Sequence, residues 1–168
     1  MTSRRYTVRV TKDELVFSAG HFITFNGDEC ERIHGHNWRV AVEVDGPLDE
    51  NHYVFDFIAL RDLTRALVAE LDHRMLLPDR NPHIRVGVEG RNVVCRHRDR
   101  LWSFPAEECV ILPIENTTAE RIADHLGDRL RAAIASRGMP FPRAMRVSVE
   151  ENFGQWATAH WDAEEDGG

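Results

Sequence analysis

A chain of 168 residues with 42% apolar side chains can bury a core of its own without disulfides. Its formal net charge of -7 argues against a general nucleic-acid role, because phosphate backbones recruit basic surfaces. Cys30, Cys95 and Cys109 show no framework spacing, and no apolar run has signal-peptide or membrane-spanning character. The expectation is therefore a reduced, cytoplasmic protein with no membrane partner.

Tyr6, Val8 and Val10 alternate across residues 5–10 and predict a strand. A polar turn at Thr11 to Glu14 leads into a second strand at about Leu15 to Phe22, and Phe25 to Ile33 reads as a loop. The strand pattern resumes over Gly35 to Val44, with Trp38, Val40, Val42 and Val44 on one side. After a turn at Gly46-Pro47, Asp56 can cap a helix from about Ile58 to Leu71, where Leu60, Leu63, Leu67 and Leu71 recur at helical spacing. Residues 79–112 form a different segment, with strand-like runs at Ile84 to Val88, Asn92 to His97 and Leu101 to Phe104. Gly90 suits a tight turn there, and the segment reads as an inserted hairpin. Thr117-Thr118-Ala119-Glu120 has capping-box spacing before Ile122, Leu126, Leu130 and Ile134, and Gly138 supplies a stop. Strands at Ala144 to Glu150 and Gln155 to Trp161 close the chain, and the acidic tail at 162–168 is expected to be disordered. This order predicts one α+β domain over residues 1–161, with two helices on one face of an antiparallel sheet.

His34-Gly35-His36 is the most informative tripeptide. Residues two apart in an extended chain point to the same side, so both imidazoles can reach one ion. His21, near the end of the preceding strand, can join them. Three neutral imidazoles suit Zn²⁺, accept other divalent ions as well, and leave a fourth position open for water or substrate. Taken alone, the pattern also fits unrelated surface histidines.

Two stretches, Phe17-Ser18-Ala19-Gly20-His21-Phe22 and Cys30-Glu31-Arg32-Ile33-His34-Gly35-His36-Asn37-Trp38, change that balance. With Val54-Phe55-Asp56-Phe57, Leu71-Asp72-His73, Thr117-Thr118-Ala119-Glu120 and Val147-Ser148-Val149-Glu150 they form an ordered set. The set resembles the 6-pyruvoyl-tetrahydropterin synthase family, which includes 6-carboxytetrahydropterin synthases. The resemblance implies the tunnelling fold, a four-stranded antiparallel sheet with two helices on one face. It also implies homo-oligomers, a trimer or a dimer of trimers, with active sites between subunits. By the same resemblance His21, His34 and His36 hold Zn²⁺, which acidifies side-chain hydroxyls of the pterin triphosphate substrate, 7,8-dihydroneopterin triphosphate. Cys30 matches the general base, although a lone thiol here could equally be an inert packing residue or a fourth ligand. Asp72 and His73 match a catalytic proton-transfer pair. Glu150 matches the carboxylate that anchors the pterin ring. Glu120 and Thr118 match positions near the pterin pocket, but helix capping explains both without a ligand.

The spacing of Cys30 from His34 resembles the enzymes that form 6-carboxytetrahydropterin, an early step toward the deazapurines of modified tRNA, with release of acetaldehyde and triphosphate. Glu31 resembles instead the catalytic glutamate of relatives that make 6-hydroxymethyl-7,8-dihydropterin for folate synthesis. Formation of 6-pyruvoyltetrahydropterin is a third branch. A zinc-bearing binding or assembly protein would need none of Cys30, Asp72, His73 or the pterin carboxylate. Arg96, Arg98 and Arg100 of the insert could meet a triphosphate, or belong to a solvated hairpin.

Overall fold

The computed structural model describes residues 4–162, so the acidic tail assigned to 162–168 lies outside the described residues except for Asp162, the last residue of the final strand. Tyr6–Val10 (β1) and Val16–His21 (β2) are followed by a two-residue hairpin, Thr24–Phe25 (β3) with Glu29–Cys30 (β4), where the sequence suggested only loop. The next strand, His34–Gly46 (β5), is long enough to pair along one edge with two strands in succession. β2 takes its first half, with His21 opposite His34, and β1 its second half, with Val8 opposite Val44. Ala144–Asn152 (β11) pairs with the other edge of β5, and Gln155–Asp162 (β12) lies outside β11.

The expected four-stranded antiparallel sheet is an underestimate. Arg74–Pro78 (β6) runs parallel to β2, and Cys109–Leu112 (β10) runs parallel to β6. The result is a mixed seven-stranded sheet in the order β10-β6-β2-β5-β11-β12, with β1 also on β5. Met75, Leu76 and Leu77 are all buried, so β6 lacks the alternation of a half-exposed strand and reads as a plain apolar run. Parallel neighbours need a long crossover. Residues 79–108 supply it between β6 and β10, which gives the insert a topological role. The insert is not a hairpin either. Arg85–Glu89 (β7), Asn92–His97 (β8) and Arg100–Pro105 (β9) form a three-stranded antiparallel meander.

Two helices cover one face of the large sheet. Phe57–Ala69 (α1) is capped by Asp56, whose carboxylate accepts from the amides of Ile58 and Ala59, and it buries Leu60, Leu63 and Leu67. Ala119–Ser136 (α2) buries Ile122, Leu126, Leu130 and Ile134 against the same layer. Its cap is Thr118, one residue later than the capping-box spacing suggested, so Glu120 does not close that box. Trp38, Val40, Val42 and Val44 of β5 meet the helices in the main core, each buried Leu contributing about 1.5–3 kcal/mol. A second cluster joins Ile84, Val93 and Cys95 of the insert to Phe22, Met75 and Leu77 of the main sheet region. No helix among the described residues is long and apolar enough to cross a membrane.

Candidate functional site

The apolar stripe of β5 ends at Trp38, and His36 and His34 continue it toward the strand's start on the same face. His21 ends β2 directly opposite His34 in register. This pairing brings one ring nitrogen from each of the three histidines within 4.8 Å of the others. Two of the rings have their tautomer fixed by backbone. His21 Nδ1–H donates to the Thr117 carbonyl and His34 Nδ1–H to the Arg32 carbonyl, both at 2.9 Å. A carbonyl can only accept, so each Nε2 carries a lone pair. Those two Nε2 atoms face each other at 3.1 Å.

Two lone pairs converging without a proton between them is an arrangement that a cation relieves. Two nitrogens bound tetrahedrally to one zinc stand about 3.3 Å apart, so the spacing fits that ion. Burial holds His21 neutral, its pKa pushed down to about 4, and also lowers that of His36, which keeps both in the metal-binding form.

A carboxylate completes the cluster, and it is not the expected one. Glu151 places Oε1 3.2 Å from His21 Nε2, and burial raises its pKa. It shares a cleft of about 390 Å³ with Thr118, Glu120, Ile23 and Trp156. Glu150 turns to the opposite face, where it accepts from the Gly154 amide at 2.7 Å and stands 3.7 Å from Arg39 Nε. The sequence signal that separates the two is the stripe Met145, Val147, Val149, which continues to Glu151 on the core-facing side of β11. A bulge in the β11–β12 pairing lies between Glu150 and Asn152.

Glu31 lies 3.8 Å from His34, whereas the half-buried Cys30 packs against the second apolar cluster. Burial raises the Cys30 thiol pKa, with the Arg100 guanidinium opposing it. Asp72 accepts from the Ser18 amide at 2.8 Å and pairs with His73 Nδ1 at 2.9 Å. His73 sits at positive φ with an exposed ring. It borders a cleft of about 510 Å³ that His36 also lines, together with Ser18, Gly20, Asn37 and Met75. The insert arginines are engaged within the chain: Arg96 with Glu89, Arg98 with Asp28, and Arg100 with the carbonyls of Cys30 and Glu31.

The model of the 6-pyruvoyl tetrahydropterin synthase family matches residues 9–161. The chain belongs to that family. A Methanocaldococcus jannaschii protein provisionally named 6-carboxy-5,6,7,8-tetrahydropterin synthase is 29% identical over 144 residues, 85% of this chain and 88% of the relative. A Pyrococcus horikoshii protein with the same provisional name is 34% identical over 68% of each chain. The crystal structure of Plasmodium vivax 6-pyruvoyl tetrahydropterin synthase superposes with a TM-score of 0.87 at 28% identity, covering 95% of this chain and 99% of that one. Two further matching structures are of that enzyme with a catalytic glutamate replaced by alanine or by cysteine. Within this 6-pyruvoyl tetrahydropterin synthase family the chain is a zinc-dependent lyase, with its zinc site at His21, His34 and His36. Sequence reasoning reached the three histidines but not the contacts that two further residues make around them. One is Thr117, whose carbonyl orients His21 and whose hydroxyl donates to the Phe22 carbonyl. The other is Arg100.

Proposed function

We propose that this enzyme converts 7,8-dihydroneopterin triphosphate and one water to 6-carboxy-5,6,7,8-tetrahydropterin, acetaldehyde and triphosphate. The observation that carries the reading is the convergence of His21, His34 and His36 beside the partly buried carboxylate of Glu151. The names of the Methanocaldococcus and Pyrococcus relatives favour the carboxy product. Zinc, when bound, supplies Lewis acidity toward the hydroxyls of the substrate side chain. Glu151 accepts two parallel N–H bonds from the pterin ring and so fixes its orientation, while Thr118 and Glu120 border the same cleft. Cys30 removes a proton from the side-chain carbon, and the Asp72–His73 pair moves protons on and off the oxygens.

In this reading the chain is one domain and acts as a homo-oligomer with sites between subunits. The His73 ring is exposed on a cleft that His36 also lines, so a neighbouring subunit can close over both. The free cysteines suit a reduced, cytoplasmic setting.

A second reading has a specific observation behind it. Glu31 stands 3.8 Å from His34 while Cys30 packs against the second apolar cluster, and the Plasmodium vivax relative has a catalytic glutamate. Glu31 would then be the base, and the product 6-hydroxymethyl-7,8-dihydropterin. Incubating zinc-loaded protein with 7,8-dihydroneopterin triphosphate and identifying products by mass spectrometry separates the two. Carboxytetrahydropterin with acetaldehyde, lost in C30A and kept in E31A, is the expected result. Hydroxymethyl-dihydropterin that survives C30A and disappears in E31A transfers the chemistry to Glu31.

A further inference from the structure

We propose that Arg100, carried by the insert, is a positioning residue for the reaction. Its guanidinium grips the backbone carbonyls of both Cys30 and Glu31 and fixes which of these two side chains faces the histidine cluster. The inference rests on the reading that one of these two residues is the base.

Arg100 Nη1 donates to the Cys30 carbonyl at 2.7 Å and Nη2 to the Glu31 carbonyl at 3.1 Å. Successive carbonyls of an extended strand point to opposite sides, so one guanidinium can hold both only where the backbone bends. The planar fork, with its donors at fixed angles, selects that bend. The fork is itself held. Arg100 lies over Trp102, 4.5 Å from the ring centroid, and Trp102 stacks on Phe22 at 4.8 Å, the residue after His21. The turn leading into Arg100 anchors the same loop upstream. His97, which is buried, donates from Nε2 to the Asp28 carbonyl at 2.7 Å, whereas the exposed Arg98–Asp28 ion pair beside it is a solvated surface contact worth little. The outcome of the bend is an assignment of sides. Cys30 goes toward Phe22, Met75 and Cys95, and the Glu31 carboxylate goes toward His34. A backbone rotation at this point would exchange the two. The insert, besides linking β6 to β10, therefore sets the geometry of the base.

Arg100 also acts on Cys30 by charge. Burial and Glu31 raise the Cys30 thiol pKa, and Arg100 is the cation that opposes them.

The test uses full-length, zinc-loaded R100A, R100K and R98A. For R100A, kcat for 7,8-dihydroneopterin triphosphate should fall by roughly 10- to 100-fold, the scale of a misplaced catalytic group. KM should stay within about threefold and zinc content should not change, because substrate and metal contacts are untouched. R100K, whose ammonium can reach only one carbonyl, should fall between R100A and wild type, and the ratio of carboxy to hydroxymethyl product should move in both. R98A, which loses a contact to the Asp28 side chain alone, should keep the wild-type rate and ratio. Independently of turnover, the pH midpoint for iodoacetamide labelling of Cys30, read by peptide mass spectrometry, should rise in R100A. If R100A does not fold, R100K carries both readouts. A wild-type rate and an unshifted midpoint in the folded Arg100 variants would overturn the proposal, as would a loss in R98A equal to that in R100A. If wild-type protein does not turn over this substrate, the assigned reaction has failed, and the labelling profile alone still decides the role of Arg100.

Discussion

At the scale of single residues, the two adjacent glutamates of β11 are the sharpest comparison. Glu150 and Glu151 have the same chemistry, and their placement alone separates them. One accepts from the Gly154 amide of its own hairpin, while the other stands against His21 in a cleft with Thr118 and Glu120. In E151Q the amide keeps one acceptor but turns a donor toward the pterin N–H groups. The expected cost is roughly 2–3 kcal/mol of transition-state stabilisation, about 30- to 150-fold in kcat/KM. E150Q keeps a carbonyl for Gly154 and should stay within about threefold of wild type. Steady-state kinetics on both variants checks this, and the reverse ranking would return the pterin to Glu150. The histidines were legible in the sequence because spacing in a strand dictates direction, and the ordered motifs around His34-Gly35-His36 separated a metal site from unrelated surface histidines. The choice between Glu150 and Glu151 needed the face of β11, which the buried stripe Met145, Val147, Val149 carries but a motif offset does not. Thr117 was opaque for another reason. Its contribution to His21 comes from its backbone carbonyl, which no side-chain pattern reports.

At the scale of elements, periodic segments were readable and short buried ones were not. The long strand β5, both helices and the β11–β12 pair follow from alternation or helical spacing sustained over many residues. β6 and β10 have five and four residues and little alternation, so nothing in them distinguishes a parallel strand from a buried turn of helix. The parallel pairing is a tertiary fact: it depends on the insert acting as the crossover. Packing of α2 gives a prediction of its own. Gly127 is a helix-interior residue whose presence propensity alone does not favour, since alanine suits a helix better. The reason is the Trp161 ring of β12, which occupies the space a Cβ would need. Trp161 is further held by a bond from its indole N–H to Asp128 at 3.1 Å. A bulky ring pinned at both ends cannot step aside cheaply. G127A should therefore destabilise by about 1–3 kcal/mol through overpacking, the opposite sign to the helix-propensity gain. Denaturant unfolding measures it, and a stabilised G127A would mean that the α2–β12 contact is looser than described.

At the scale of the whole molecule, the metal site is also a stability device, because three acceptor groups are gathered where only a cation reconciles them. His34 Nε2 and Glu151 Oε1 lie 3.1 and 3.2 Å from His21 Nε2. In metal-free protein the sign of the pH dependence follows from His21. Its folded pKa is about 4 against 6.5 for the free side chain, so between those values the unfolded chain binds more protons. Stability contributed by His21 is thus full above about pH 6.5 and is lost as pH falls toward 4, a total of roughly 3 kcal/mol. Glu151 runs the other way. Its raised pKa means that the folded chain prefers the proton, so its contribution is present below the ordinary carboxylate range and is lost as pH rises through the folded pKa. A cation bound beside Glu151 would offset the burial of its carboxylate as well as binding the imidazoles. At a free zinc concentration of 100 times Kd the gain is about 2.7 kcal/mol, or roughly 5–10 °C in Tm for a chain of this size. Protons compete for the same nitrogens, so the difference between zinc-loaded and chelator-treated samples should be full at pH 7.5 and shrink as pH falls toward 4, where His21 itself titrates. Calorimetry at a fixed protein concentration, needed because assembly also shifts Tm, reads both values. A zinc-dependent Tm difference as large at pH 4 as at pH 7.5 would show that the ion is held by groups other than these histidines.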